Sequence, residues 1–207
     1  MVVLQGSLFD CGAGGGRLQP PRPTRTWLDA GAWCDLQHSW VTDGGALFGR
    51  LLGSVPWRAE RRLMYDRTVA VPRLVASYGE GDRLPDAALG EMGDALEEAY
   101  ATVGTGRLAS VGLCLYRDGA DSVAWHGDTI GRNRPADTVV AIVSLGEARR
   151  FLLRPRSGGP HRRLVLGHGD LLVMGGRCQR TWEHAVPKTS RPTGPRISIQ
   201  FRTAGPR

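Results

Sequence analysis

Three side chains of the types that bind transition metals lie in the second half of the chain. His126 and Asp128 are two positions apart, and His184 follows 56 residues after Asp128. Residues i and i+2 of a strand point to the same face, so one metal ion can contact both His126 and Asp128. With His184 they would form a two-histidine, one-carboxylate set, which leaves coordination positions open for a cosubstrate and O2. The short pattern His-x-Asp carries little weight by itself, so the interpretation depends on the residues that accompany it.

A second group of chemically useful side chains lies near the C-terminus. Residues 196–202 alternate strictly between polar and apolar, which is typical of a strand with one buried face. The polar face consists of Arg196, Ser198, Gln200 and Arg202. One interpretation is an edge strand whose polar face is exposed to solvent. The other is that both arginines point into a barrel and bind a dicarboxylic acid, because a planar guanidinium pairs with a carboxylate through two hydrogen bonds.

The charge of the chain is unevenly distributed. Its 27 basic residues exceed its 20 acidic residues by seven, and only Lys188 among the basic residues is a lysine. Residues 1–130 carry 12 arginines against 16 acids, whereas residues 131–207 carry 15 basic residues against 4 acids. A basic half of this kind suits a polyanionic partner, although a solvated basic surface is an equally open interpretation. The arginines that we expect around the site are Arg132, Arg134, Arg149, Arg154, Arg156, Arg162 and Arg163.

Composition and cysteine spacing exclude several classes of protein. No apolar run approaches the ~20 residues of a membrane-spanning helix, and the N-terminus lacks the pattern of a signal peptide. The four cysteines are isolated along the chain, which argues against a zinc ribbon and against a disulfide framework. We therefore expect a cytoplasmic protein with reduced thiols and no contact with membranes.

The order of helices and strands predicts an α+β protein. Apolar spacing predicts one helix over Ala46–Leu52 and a second from Pro85 to Val103 with its apolar stripe on Leu89, Met92, Leu96 and Ala99. A hairpin is expected over Met64–Leu74. Short strands separated by Gly-rich turns follow, at Val111–Tyr116, Thr138–Leu145, Arg150–Leu153, Arg163–Leu166, Asp170–Met174 and Arg196–Arg202.

The composition also predicts where the folded domain begins. Residues 1–26 are rich in Gly and Pro and have no periodicity, so we interpret them as a flexible leader. Residues 27–207 then form a single domain, with helices over 27–109 and β structure over 110–203.

Taken together, these residues resemble the AlkB family of Fe(II)- and 2-oxoglutarate-dependent dioxygenases. The resemblance rests on His126-x-Asp128, then His184, then Arg196-x5-Arg202, and it covers roughly residues 57–202. The His/Asp/His part is common to 2-oxoglutarate oxygenases, whereas the arginine strand selects AlkB. Flanking sequences agree, among them Leu115-Tyr116-Arg117-Asp118-Gly119, Ser144-Leu145-Gly146, Gly169-Asp170-Leu171-Leu172 and Trp182-x-His184-x-Val186-Pro187.

The resemblance implies a double-stranded β-helix (jelly-roll) core with N-terminal helices and a nucleotide-recognition lid. The implied iron ligands are His126, Asp128 and His184. The implied 2-oxoglutarate ligands are Arg196, Arg202, Tyr116 and Ser198. The implied activity is the oxidative dealkylation of damaged bases in DNA, with RNA left open: O2 oxidises 2-oxoglutarate to succinate and CO2, and a methyl group leaves as formaldehyde. A monomer is expected.

A base must leave the stack before such chemistry can reach it, and the resemblance assigns this step to a lid over residues 65–78. Tyr65 would probe the stack, Tyr78 would line the base pocket, and Arg73 would contact a phosphate or brace the lid. Both tyrosines are equally interpretable as packing aromatics. Trp125 is a further candidate for contact with the substrate, with a core position as the alternative.

The chain departs from the family pattern at three positions. Cys114 and Ser198 replace asparagines, so the sequence predicts fewer polar contacts to 2-oxoglutarate. Ile130 lies where repair enzymes usually have an acidic residue, and this substitution favours neutral or etheno-type adducts over cationic methyl lesions. Two other functions stay open: an oxygenase acting on tRNA, protein or a small molecule, and a catalytically silent nucleic-acid-binding relative.

Overall fold

The computed structural model describes residues 16–64, 67–103, 107–128 and 137–203, which fold mainly into β-strands. The strands in chain order are β1 (Arg17–Leu18), β2 (Thr24–Trp27), β3 (Ala32–Gln37), β4 (Val41–Thr42), β5 (Arg58–Met64), β6 (Arg67–Tyr78), β7 (Leu108–Tyr116), β8 (Val123–His126), β9 (Val140–Gly146), β10 (Arg149–Pro155), β11 (Arg162–Leu166), β12 (Asp170–Gly176), β13 (Trp182–Val186) and β14 (Arg196–Thr203). The helices are α1 (Gly45–Ser54), α2 (Ala88–Tyr100) and α3 (Cys178–Thr181).

Two antiparallel sheets make up most of the structure. The large sheet has the order β2-β3-β12-β9-β14-β7-β6-β5, and the small sheet has the order β11-β10-β13-β8. On one face of the large sheet Tyr116 and Ile142 share a buried cluster with Phe151 of the small sheet, so these sheet faces pack together. This arrangement is the jelly roll that the sequence predicts.

The other face of the large sheet packs against the helices. Leu115 and Ile199 belong to a second buried cluster, which includes Leu47 of α1 and Leu89 of α2. The large sheet is therefore buried on both faces, and α1 and α2 cover the face away from the small sheet. No helix among the described residues is long and apolar enough to cross a membrane.

Both predicted helices are present with different ends. The first extends over Gly45–Ser54, and the second begins at Ala88 and continues into a short 3-10 turn over Ala101–Val103. The apolar stripe of α2 ends on Tyr100 rather than on the predicted Ala99. Tyr100 is buried because its ring stacks on Trp33 and its hydroxyl donates a hydrogen bond to Asp35.

All six strands predicted after residue 110 are present, with ends that lie within three residues of the prediction. The predicted hairpin is longer and comprises β5 and β6. Two strands after residue 110 were not predicted, β8 and β13, which are only four and five residues long and mix polar with apolar residues. Strands this short are formed by their pairing partners, β10 beside β13 and β13 beside β8, rather than by a periodic pattern.

The predicted start of the folded domain is wrong. β1 and all but the last residue of β2 lie within residues 1–26, and β2 pairs with β3, an unpredicted strand that joins the large sheet through β12. Arg25 donates two hydrogen bonds to the buried Asp35, and Leu18 is buried. Composition missed these strands because their order comes from long-range pairing, which offsets the entropy of a Gly/Pro-rich segment.

Candidate active site

The largest concentration of ionisable side chains lies in a cavity of about 380 Å³ between the two sheets. Its polar lining combines residues from β6, β7, β8, β13 and β14 with the turn after β8. These polar lining residues are Arg73, Ser110, Cys114, Tyr116, His126, Asp128, His184, Arg196, Ser198, Gln200 and Arg202. The apolar part of the lining includes Val123, Ile142, Phe151 and Val186.

Two imidazoles face each other at the small-sheet side of this cavity. His126 of β8 pairs in register with His184 of β13, and their ring centroids are 4.2 Å apart. Burial lowers the pKa of His126 and lowers that of His184 to about 3, so both rings are neutral near pH 7. The Nδ1 atom of His126 donates to the carbonyl of Ala124 at 2.9 Å, which leaves its Nε2 lone pair available to a ligand.

Asp128 completes the group of predicted metal ligands. Burial acts to raise the pKa of its carboxyl, but the positive charge and the hydrogen bond of Arg202 outweigh burial and lower it. Its Oδ1 accepts a hydrogen bond from Arg202 Nε at 2.9 Å, and its backbone N–H donates to Gln179 at 3.0 Å. Asp128 is thus an ionised carboxylate whose side chain is held by Arg202 and whose backbone is held by Gln179.

The donor chemistry of His126, Asp128 and His184 fits Fe(II), since neutral imidazoles and one carboxylate are the ligands of non-haem iron sites. The three side chains line one cavity, and the two imidazoles lie side by side. Within the described ranges, no three His, Cys, Asp or Glu side chains already have the spacing of an assembled metal site. One carboxylate oxygen of Asp128 is bound by Arg202 instead. These residues therefore supply the right donors, and the second carboxylate oxygen of Asp128 is not engaged by Arg202.

The opposite side of the cavity fits a carboxylate. Arg196 is buried, its Nε donates to Ser144 at 2.8 Å, and its Nη1 has no hydrogen-bond partner. A buried guanidinium nitrogen without an acceptor is unfavourable, so its position favours an anionic ligand. Tyr116 lies beside it, with the guanidinium carbon 5.2 Å from the ring centroid, and burial raises the pKa of this tyrosine to about 12.

The predicted alternation of β14 is present in the structure. Arg196, Ser198, Gln200 and Arg202 all line the cavity. The apolar residues of the strand, Ile197, Ile199 and Phe201, are buried in the cluster on the helix side of the sheet. The interpretation of β14 as an edge strand with a wet polar face is wrong, because β14 pairs with β7 on one side and β9 on the other.

Comparison with known proteins shows the family to which the chain belongs. The family model of the 2OG-Fe(II) oxygenase superfamily matches residues 45–202. The chain is 31% identical over 208 residues to the alpha-ketoglutarate-dependent dioxygenase alkB homolog 3 of Homo sapiens, with 91% of this chain and 69% of that protein covered. The chain belongs to the AlkB family of 2-oxoglutarate- and Fe(II)-dependent oxygenases.

Other AlkB relatives extend the comparison. The chain is 29% identical over 224 residues to the DNA oxidative demethylase ALKBH2 of Arabidopsis thaliana, with 87% of this chain and 69% of that protein covered. The solved structure of OsALKBH1 superposes with a TM-score of 0.61 over 87% of this chain and all of that one, at 14% identity, which supports the fold. The chain spans 63% to 69% of the length of these and the bovine AlkB relatives. The cofactors of the family are Fe(II), 2-oxoglutarate and O2.

Two cavity residues of this AlkB protein have contacts that were not predicted from the sequence. Arg73 was predicted to contact a phosphate or brace the lid; in the structure it lines the cavity and donates to Cys114 Sγ and to the carbonyl of Ser122, each at 3.4 Å. Gln200 donates to Cys114 Sγ and to Ser198 Oγ. The alternation of β14 was a sufficient signal for Gln200. No local signal existed for Arg73, because its orientation depends on how β6 pairs with β7.

The substrate residues predicted from the lid have different outcomes. Tyr78 does not line the base pocket: it packs against the helix-side cluster, on the opposite face of β6 from Arg73, and that prediction is wrong. Trp125 is half-buried outside the described cavity lining, with the Arg154 guanidinium 4.3 Å from its ring centroid. Tyr65 lies outside the described residues, and its role stays a prediction.

The arginines expected around the site fall into three groups. Arg149 is buried and donates to the carbonyls of Asp118, Asp121 and Pro187, so the expectation that it serves a polyanionic partner is wrong. A second group, Arg154 and Arg156, forms ion pairs with Glu183. The third group consists of Arg162 and Arg163, which are exposed. The remaining expected residues, Arg132, Arg134 and Ile130, lie outside the described part of the chain.

Proposed function

We propose that this chain is an oxidative dealkylase of damaged nucleobases in nucleic acid. The observation that carries the proposal is the cavity itself, in which neutral imidazoles and a carboxylate face a buried arginine with an unsatisfied nitrogen. The AlkB relatives named alkB homolog 3 and DNA oxidative demethylase support it.

His126, Asp128 and His184 would hold Fe(II). When bound, the iron would supply, together with O2 and 2-oxoglutarate, the hydroxylation of the carbon attached to the base nitrogen. The hydroxylated alkyl group then leaves the base as an aldehyde. Burial keeps both imidazoles unprotonated and therefore able to act as ligands. Arg196 orients 2-oxoglutarate by charge-assisted hydrogen bonds from its free Nη1. The Tyr116 hydroxyl, whose pKa is about 12, stays protonated and donates a hydrogen bond.

A basic groove beside the cavity supports a nucleic-acid substrate. The groove, of about 800 Å³, is lined by Arg156, His161, Arg162, Arg180 and Trp182, among others. Asp29 is the one acid in its described lining, and this carboxylate already accepts hydrogen bonds from the backbone of Gly31 and Ala32 and from the side chains of Thr181 and Trp182. Arg156 and Arg180 already form ion pairs with Glu183 and Asp137, so the exposed Arg162 is the groove arginine best suited to phosphodiester oxygens.

The groove and the cavity share a wall. Gly127, between His126 and Asp128, lies so close to the groove that a Cβ atom there would be 2.5 Å from Arg156 Nη2. A strand that places one base in the cavity would therefore bring its neighbouring phosphates within reach of the groove. Binding through phosphates weakens steeply as salt concentration rises.

The test is turnover with defined oligonucleotides. We expect 2-oxoglutarate-dependent release of succinate and formaldehyde, in equal amounts, with a DNA strand that carries 1-methyladenine or 3-methylcytosine. A matched RNA strand compares the two nucleic acids, and an ethenoadenine strand tests the expectation for Ile130. Succinate release that no alkylated oligonucleotide stimulates, but a protein or small molecule does, would contradict the nucleobase substrate.

A charge-reversal variant tests whether the groove binds the nucleic acid. Arg162→Glu should raise the dissociation constant for the methylated oligonucleotide about 5- to 10-fold at low salt and flatten its salt dependence, because one phosphate contact is replaced by repulsion. Arg17→Glu, an exposed residue outside the groove lining, is the matched control. Equal effects of the two substitutions would show that only net charge matters and would remove the groove from the proposal.

A further inference from the structure

The cavity contains more positive charge than its own residues neutralise. Arg73, Arg196 and Arg202 all line it, and the one acidic side chain in its described lining is Asp128. Charge buried without a partner is costly, and a bound divalent metal would add to the excess. The cavity is therefore built for a dianion, and it has one arginine more than the predicted pair.

The three guanidinium groups differ in how many of their N–H donors have hydrogen-bond partners. Arg202 is held by Asp128 at 2.9 Å and by Gln200. Arg196 is held by Ser144 and has its Nη1 free. Arg73 donates to a sulfur, which is a weak acceptor, and to a carbonyl oxygen at a long distance of 3.4 Å, whereas a guanidinium has five N–H donors. Arg73 therefore retains hydrogen-bonding capacity toward a ligand.

Strand register places Arg73 next to the predicted cosubstrate residues. β6 pairs with β7 so that Val75 lies opposite Cys114, and β7 pairs with β14 so that Cys114 lies opposite Ser198. Arg73 Nε reaches over Cys114, a residue with a short side chain that cannot donate a strong hydrogen bond.

We propose that Arg73 is a third cosubstrate-binding arginine, which binds a carboxylate of 2-oxoglutarate together with Arg196 and Arg202 and supplies the strong donor that Cys114 lacks. Because Arg73 belongs to β6, which lies within the predicted lid, the cosubstrate also anchors that strand. The inference concerns the family cosubstrate and holds for a nucleobase or any other prime substrate.

The experiment measures binding of 2-oxoglutarate to the full chain by calorimetry, with Mn(II) in place of Fe(II) so that no turnover occurs. Arg73→Ala should weaken binding about 10- to 100-fold, as expected for loss of hydrogen bonds to a charged group. Arg73→Lys should recover part of this loss. Arg150→Ala, an exposed residue of β10 outside the cavity lining, should leave the affinity unchanged.

A second variant separates a contact from a structural role. Cys114→Asn introduces a side-chain amide beside the same position, so the double variant Arg73→Ala/Cys114→Asn should bind 2-oxoglutarate more tightly than Arg73→Ala alone. Thermal unfolding of each variant without cosubstrate shows whether the fold is intact. The proposal is overturned if Arg73→Ala keeps 2-oxoglutarate affinity within about twofold. Weakened oligonucleotide binding in that case would assign Arg73 to the nucleic acid instead.

Discussion

Burial, rather than a neighbouring charge, is the main cause of the unusual state of the two cavity imidazoles. His184 packs against Phe151, with ring centroids 5.3 Å apart, and lies opposite His126. Two protonated imidazoles side by side in this buried position would be strongly unfavourable, so both rings stay neutral even without a metal. The chemistry of the site is thus set by its environment as well as by residue type.

Protonation of His184 should appear in the pH dependence of stability of the metal-free protein. Its pKa is lowered to about 3 in the folded state, so between that value and its ordinary pKa of about 6.5 the unfolded chain binds a proton that the folded chain does not. The free energy of unfolding should therefore fall as pH falls below about 6.5, by about 1.4 kcal/mol per pH unit for this group. Denaturant titrations at a series of pH values measure it.

The matched variants for this prediction are His184→Gln and His161→Gln. His184→Gln should flatten the pH dependence, whereas His161→Gln, an exposed residue, should leave the slope as in the parent protein. Equal slopes in the parent and His184→Gln would show that other groups cause the acid sensitivity.

Gly127 has a steric role between two predicted metal ligands. A Cβ atom there would lie 2.5 Å from Arg156 Nη2 and 2.9 Å from the carbonyl oxygen of Gln179, which also orients Asp128 through its side chain. We expect Gly127→Ala to lower metal affinity and kcat at least 10-fold by displacing Asp128, with a smaller change in stability. Metal titration of the variant is the measurement. Gly45→Ala is the control, because a Cβ atom at Gly45 meets no other atom within 4 Å.

At the level of elements, the short strands β8 and β13 determine the active site. Each carries one of the histidines, and neither has enough residues for a stable strand in isolation. They are ordered by β10, which pairs with β13 and β11 and carries buried Phe151 and Leu153. The ligands are therefore positioned by the neighbouring strands of the small sheet.

A glycine in β12 shows how closely the large sheet packs. Gly175 lies opposite Trp33 of β3, and a Cβ atom at this position would overlap the Trp33 ring. Gly175→Ala should destabilise the protein by about 2–3 kcal/mol, because ring and backbone must both move. Gly90→Ala, in α2 where a Cβ meets nothing, should instead stabilise by about 0.5–1 kcal/mol. Thermal or denaturant unfolding distinguishes the two, and a neutral Gly175→Ala would contradict the packing argument.

At the scale of the whole molecule, the net charge of +7 is divided among different roles. Arg149 satisfies backbone carbonyls inside the fold, whereas Arg196 and Arg202 line the cavity. Arg156 and Arg162 line the groove. The basic composition therefore reflects structural, cosubstrate-binding and surface arginines together, and the count alone does not measure affinity for nucleic acid.

The N-terminal boundary yields a test on the whole chain. Removal of residues 1–26 deletes β1 and β2 and leaves the Asp35 carboxylate buried without the two hydrogen bonds from Arg25. We expect a loss of about 2–4 kcal/mol of stability, and Arg25→Ala alone should account for much of it. Arg17→Ala, an exposed residue, serves as control. Unfolding midpoints equal to that of the full chain would restore the interpretation of this segment as a leader.

The sequence by itself determined the features whose cause is local. The alternation of residues 196–202, the stripe Leu89–Met92–Leu96 and the ligand types at His126, Asp128 and His184 are all legible because they depend on residue identity and short spacing. The same local patterns predicted the six later strands and both longer helices.

Only the tertiary structure decided which faces point inward. Arg73 and Tyr78 belong to one strand, yet pairing of β6 with β7 turns Arg73 into the cavity and Tyr78 toward the helices. Strand pairing is also the reason that Arg149 is buried and that His126 lies opposite His184. A shift of one residue in strand register reverses every side chain, and register is set by partners far away in the chain. No local pattern contains that information.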